Sequence, residues 1–161
     1  VVDNDWKPAK DDEPVDMTTR YTLYADHRDC AVDIKFNRPV NTYKFATGII
    51  NVKNSVEYSD QAGLRGCWGT DWPVSEKDSA GHKRETVGLG ICIPKANIVS
   101  ELAADKDNYP FVVNTPTDCL HYDIAFGSDN EDYGYHSAKE WFKFLKEWKN
   151  ELNEPIEVMI N

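Results

Sequence analysis

Gly63-Leu-Arg-Gly-Cys-Trp-Gly-Thr-Asp-Trp-Pro73 and, further on, Thr86-Val-Gly-Leu-Gly-Ile-Cys-Ile-Pro94 decide how this chain reads. Within them two apolar, Gly-rich runs, Leu64–Gly69 and Thr86–Ile93, bracket a polar segment, Thr70–Glu85. That is the form of two strands joined by a long excursion, with Trp68 and Trp72 at its mouth. Long loops inside compact domains are uncommon and are usually functional or disordered. The excursion is therefore the first place to look for a small polar ligand.

Working outward, the segments on both sides have strand character. Thr18–Ala25 is dense in β-branched and aromatic residues, which suit a pleated, half-buried surface. Cys30, Val32, Ile34 and Phe36 alternate with Asp33 and Lys35, the clearest period-2 pattern in the chain. Asn37-Arg38-Pro39 stops it. Val40–Ala46 and Thr47–Val52 read as two further strands, Gly48 marking a bulge or bend. Asn54–Gln61 reads as a polar connection. Beyond Pro94, Asn97–Ala104 fits either a short helix or a strand-to-loop transition. Tyr109–Asn114 reads as a strand broken at Pro110. Leu120, Tyr122, Ile124 and Phe126 alternate with His121, Asp123 and Ala125, and an acidic loop follows over Gly127–His136.

One helix is expected, over Ser137–Leu152. Ser137 and Glu140 form a capping box, and Trp141, Leu145, Trp148 and Leu152 make one apolar stripe, widened by Phe142 and Phe144. Ile156, Val158 and Ile160 suggest a final strand. Residues 1–17, with Pro8, Pro14 and an acidic run at Asp11–Glu13, read as a polar arm or loop, with Trp6 as an anchor. Many short strands with one late helix give a mainly β fold: an antiparallel β-sandwich over residues 18–161 with one C-terminal α-helix.

Charge narrows the partners. Twenty-eight acids against eighteen bases leave a net charge of −10 over 161 residues. A nucleic-acid partner needs a concentrated basic surface and is excluded on that ground. A polyanionic ligand requires a site that concentrates arginine and histidine locally. No apolar stretch approaches transmembrane length, so membrane insertion is not expected. The four cysteines, Cys30, Cys67, Cys92 and Cys119, lie far apart with no zinc-ligand spacing, and read as free thiols rather than disulfides. The chain begins Val-Val-Asp without Met, which reads as a processed protein or a fragment.

Trp68 and Trp72 offer flat apolar faces with an N–H donor. Beside the carboxylates of Asp71, Glu76, Asp78 and Glu85 they match what a sugar ring needs; equally, both read as caps on the sandwich core. His82 and His121 are the acid/base candidates, since histidine titrates nearest neutral pH, with Asp71 or Glu85 as the assisting acid. Arg65 and Arg84 suit bidentate pairing with a uronate carboxylate, or ordinary salt bridges. Tyr122 belongs with the core. Asp129-Asn130-Glu131-Asp132 lacks the ligand spacing of a calcium loop and reads as a solvated turn, so no metal site is expected. Gly88-Leu-Gly90 lies inside a strand-like run and is no dinucleotide fingerprint, and no phosphate loop or Gly-x-Ser-x-Gly occurs. No cofactor is expected.

The order of motifs resembles a known family. Thr19-Arg20-Tyr21-Thr22-Leu23, Asp33-Ile34-Lys35-Phe36, Phe45-Ala46-Thr47-Gly48-Ile49, Leu89-Gly90-Ile91-Cys92-Ile93-Pro94 and the helix before Pro155-Ile156-Glu157-Val158 follow one another as in the C-terminal half of DUF4861 proteins. These are secreted or periplasmic bacterial proteins found with pectin- and polysaccharide-degrading enzymes. The resemblance implies a galactose-mutarotase-like supersandwich of which this chain is the second half, with the N-terminal remainder of its parent as a partner and a periplasmic or extracellular setting. It implies no catalytic set.

Three functions follow as expectations. The first is a carbohydrate-active protein acting on uronic-acid-containing oligosaccharides by lyase, dehydratase or hydrolase chemistry, with His82 or His121 moving the proton. The second is a non-catalytic carbohydrate-binding module. The third is a structural half-domain whose site residues lie elsewhere.

Overall fold

The computed structural model describes residues 1–7, 10–72 and 75–154. Ten strands and one long helix follow in order: β1 (Val2–Trp6), β2 (Val15–Leu23), β3 (Asp29–Phe36), β4 (Phe45–Ile50), β5 (Val56–Ser59), β6 (Leu64–Asp71), β7 (Glu85–Cys92), β8 (Ile98–Glu101), β9 (Asn108–Val113), β10 (Cys119–Ser128) and α1 (Ala138–Asn153). They build a seven-stranded antiparallel sheet, β1-β2-β3-β10-β7-β6-β5, and a three-stranded one, β4-β9-β8. The expected sandwich with a late helix is what forms. The strand expected over Ile156–Ile160 lies outside the described residues.

The alternation in β3 does what its period demands. Cys30, Val32 and Phe36 are buried, while Asp33 and Lys35 are exposed on the other side. The inner face meets the smaller sheet, and the main core lies between them, with Phe36, Cys67, Ile91 and Leu120 against Ile49, Tyr109, Phe111 and Val113. On the outer face α1 lies over β6 and β7, burying Trp141, Leu145 and Trp148 beside Leu64 and Ala125. The molecule thus has three layers: small sheet, large sheet, helix.

Ser137 caps the helix as expected, its hydroxyl accepting from the Glu140 N–H at 3.3 Å. The return bond falls one residue earlier than a capping box places it, from the His136 N–H to Glu140 Oε2 at 3.0 Å. Leu152, at the end of the stripe, is exposed.

Several local expectations are corrected. Residues 1–17 are not all arm: Val2–Trp6 forms β1, paired with β2, which itself begins at the fully buried Val15. Val40–Ala46 and Thr47–Val52 yield one strand, β4, preceded by a turn. Gly48 marks no bulge, since the β4–β9 register runs unbroken from Phe45 to Ile50. A Cβ at Gly48 would lie 2.3 Å from the Tyr109 carbonyl oxygen, so close backbone approach explains the glycine. The polar connection Asn54–Gln61 contains the edge strand β5, and Asn97–Ala104 contains β8. Pro110 does not break β9. Its carbonyl accepts from the Leu102 N–H, on the side where β8 has already ended at Glu101, so its missing donor faces no strand.

Candidate functional site

The hairpin that opened the sequence reading forms as expected, β6 pairing with β7 from Leu64–Cys92 to Asp71–Glu85. Its candidate residues do not gather at one place. Trp68 turns to the outer face and packs on Trp141, ring centroids 6.3 Å apart. Trp72 lines an end cleft of about 610 Å³ together with Asp71, Glu85, Val87, Leu89 and Asn130. The joint aromatic platform is therefore not formed: helix α1 claims the Trp68 side, while Trp72 lies past the end of β6, free of its alternation, and enters the end cleft instead. Arg84 stacks over Trp72 at 5.4 Å. Glu85 accepts from the Asn130 amide. Asp71 accepts from the backbone N–H groups of Lys53 and Trp72. His82 is exposed in the excursion and makes no hydrogen bond through its ring among the described residues.

Arg65 is 2% exposed. Its guanidinium donates to Glu57 at 2.7 Å and to the carbonyls of Leu102 (2.8 Å) and Pro110 (3.1 Å), with Glu101 at 3.7 Å. It also lies 5.0 Å from the Tyr109 ring centre. Buried and with its Nε and Nη1 donors engaged inside the protein, this fork is out of reach of a uronate. The sequence reading of Arg65 as a ligand-binding residue gives way to a structural one.

His121 has a different setting. It projects from the outer face of β10, and the register aligns it with Asp33 on β3, which in turn faces Arg20 on β2. One row across three strands therefore reads Arg20, Asp33, His121. The next reads Thr18, Lys35, Cys119. His121 Nδ1 lies 2.9 Å from Asp33 Oδ1, and Nε2 lies 3.2 Å from Asp123 Oδ2. Together with Asn97, Thr115 and Thr117 from the loops at the sheet end, these rows line a cavity of about 690 Å³. That size suits a small-molecule site.

The electrostatics of this patch are mixed. Burial lifts the Asp123 carboxyl above the ordinary carboxylate range; His121 opposes the shift, and Asp29 and Asp33 add to it. Among the described residues Lys35 has only a long contact to Asp118, 3.9 Å between two exposed groups, which leaves its ammonium available. Arg20 makes no ion pair among the described residues. The hydrogen bond from Cys119 to Asp118 holds the thiol above its usual range, with slight desolvation adding, so Cys119 is no thiolate nucleophile. All four cysteines are free, and burial pushes Cys67 and Cys92 up to about 11.

A family of proteins described as a domain of unknown function, DUF4861, matches residues 1–158. The chain belongs to the DUF4861 family. No curated protein and no solved structure matches this DUF4861 chain.

Of the eight side chains singled out from sequence, Asp71, Trp72 and Glu85 line the end cleft, Arg84 stacks on Trp72, His121 stands on the outer face and His82 is exposed in the excursion. Trp68 and Arg65 are built into the packing. Arg20, Asp33, Lys35 and Asp123 were missed as site residues. The signal was present in the polar positions of β3 and β10, but only the strand register shows that they share a patch. The acidic loop uses its charges internally: Asp129 holds His136 Nδ1 at 2.9 Å, and Glu131 holds Arg28 at 2.7 Å. Among the described residues no three His, Cys, Asp or Glu side chains are grouped to hold a metal ion.

Proposed function

We propose that this domain is a carbohydrate-active protein of polysaccharide degradation that takes a uronic-acid-containing oligosaccharide on the open outer face of its large sheet. The observation that carries the reading is the row Arg20–Asp33–His121, with Lys35 beside it, along a ligand-sized cavity. In a chain of net charge −10, an anionic sugar needs local cations, and these positions supply them. Arg20 and Lys35 would pair with the uronate carboxylate. His121 would exchange a proton with an oxygen or carbon of the ring, as lyase, dehydratase and hydrolase steps all require. The test is incubation of the protein with oligosaccharides of pectin, rhamnogalacturonan and ulvan, followed by mass. Loss or gain of water, or chain cleavage, is expected and should be abolished in His121→Ala. Unchanged turnover in His121→Ala overturns the assignment.

A non-catalytic binding module is the second reading, and one observation favours it. The end cleft gathers Trp72, Asp71, Glu85 and Asn130, with Arg84 stacked on the Trp72 ring and no histidine in the lining. A stacking ring with charged hydrogen-bonding neighbours binds sugars without turning them over. Binding lost in Trp72→Ala and kept in His121→Ala, with no mass change, supports this reading.

The same proposal carries an extracytoplasmic setting and the N-terminal remainder of a parent chain as partner. Support for the partner lies on the inner face beyond the small sheet, where Tyr21, Leu23 and Phe126 are 56%, 57% and 50% exposed.

A further inference from the structure

His121 has carboxylates on both sides, Asp33 hydrogen-bonded at Nδ1 at 2.9 Å and Asp123 at ion-pair distance from Nε2, 3.2 Å, and the two are not equivalent. Asp123 is 13% exposed at its side chain; Asp33 is 54% exposed. A buried carboxylate bonded to one ring nitrogen fixes the tautomer and orientation of an imidazole and leaves the other nitrogen to exchange protons. An exposed carboxylate is easily displaced, since exposed pairs contribute little. We propose that Asp123 is the positioning residue of His121, and that Nδ1 is the nitrogen that exchanges a proton with a ligand once Asp33 has swung aside.

The surroundings fit this division. Asp33 has an alternative partner in Arg20, directly opposite on β2. Asp123 has none: its cross-strand neighbours are Ala31 on β3 and Cys92 on β7, and Cys92 is a thiol held well above its ordinary range by burial. The other charged groups that act on this part of the face include Asp29 and Lys35 on β3, Asp118 beside Cys119, and Asp60 and Lys149, whose fields reach Cys92. Asp29 is itself bound to His27 at 2.9 Å and Lys149 to Asp60 at 2.6 Å, so neither competes for the His121 ring. With the ring protonated, both nitrogens donate. A ligand oxygen that replaces Asp33 receives the Nδ1 proton, and the ring keeps its Nε2–H on Asp123. The atoms balance without a further reactant. In the reverse sense, neutral Nδ1 accepts a proton from the ligand.

The location of the proton is measurable without a substrate, by nitrogen chemical shifts of the His121 ring in the whole protein. That readout is independent of the carbohydrate reading, on which only the identity of the ligand rests. The neutral ring is expected as the Nε2–H tautomer. Asp33→Asn should leave that tautomer in place, and Asp123→Ala should give a mobile ring exchanging between tautomers. Asp123→Asn keeps the packing and checks that any change is not unfolding: its amide oxygen can still accept from Nε2–H, so the tautomer should persist. An Nδ1–H tautomer in the native protein overturns the assignment, and so does a ring disordered by Asp33→Asn but not by Asp123→Ala. If the tautomer is as expected and no sugar is bound or turned over, the positioning role stands and the carbohydrate reading falls.

Discussion

The outer face of the large sheet carries two surfaces made by the same alternation of strand residues, and they have opposite fates. Over β6 and β7 the outward positions include Gly66, Gly88 and Gly90, and α1 lies directly on them. A Cβ at Gly88 would stand 2.5 Å from the Trp141 ring, and one at Gly90 2.5 Å from a Leu145 methyl. Over β2, β3 and the first half of β10 the outward positions include Arg20, Asp33, Lys35, His121 and Asp123, and that surface carries no helix. The difference teaches what decides coverage. Removing side chains from the strands makes a seat for a helix; placing charges there keeps the face in water, because burying them unpaired would cost more than packing returns.

If this division is right, the covered half must be sensitive to volume and the open half to charge. Trp141→Ala should have the largest effect, about 3–5 kcal/mol off the unfolding free energy in urea titration, since the ring is fully buried. Gly88→Ala should follow at about 1–3 kcal/mol by overpacking against the same ring. Ser137→Ala, which removes the helix cap, should cost about 1 kcal/mol. A loss at Gly88 no larger than at an exposed site would break the idea of a glycine seat.

Two carboxylates should separate the halves by pH. Burial pushes Asp60 up, but its bonds from Lys149 and from the Ala62 and Leu64 N–H groups outweigh that and hold it below the ordinary carboxylate range. Its stabilisation is therefore present above the unfolded-state value and is lost as pH falls through the folded one. Asp123 runs the other way. The folded chain binds its proton more tightly than the unfolded chain, so stability falls as pH rises from the unfolded value to the folded one and is flat above. Unfolding measured from acid to neutral pH should show Asp60→Asn flattening the acid-side loss, and Asp123→Asn removing the opposite slope. Smallest of all, Arg20→Ala should move stability by no more than about 0.5 kcal/mol, while abolishing binding of oligogalacturonides in calorimetry.

What the chain revealed in advance followed its periodicity. The inward set of β3, the hairpin β6–β7 and the stripe of α1 each bury one face, so the apolar spacing is strong. β1 and β5 are edge strands with mostly exposed residues, and a strand that buries nothing leaves no alternation to read. The site divides in the same way. That His121 and Asp33 point away from the core is legible in either strand alone. That they meet, 88 positions apart, depends on pairing register, which local pattern does not encode. Trp68 stayed open between platform and cap for a related reason: its partner Trp141 lies on an element far along the chain.

Arg65 has a mechanical consequence. It springs from the large sheet, yet two of its bonds end on carbonyls of Leu102 and Pro110, at the end of β8 and within β9. It is a rivet through both sheets. Its rigid planar fork reaches Glu57 from one nitrogen and the two carbonyls from another, a spread that the single nitrogen of a lysine does not reproduce. Sheets joined this way resist sliding past one another. Any give that ligand capture requires must then come from the unriveted surface, from side chains such as Asp33 and from the loops at the sheet end, while the frame beneath them stays still.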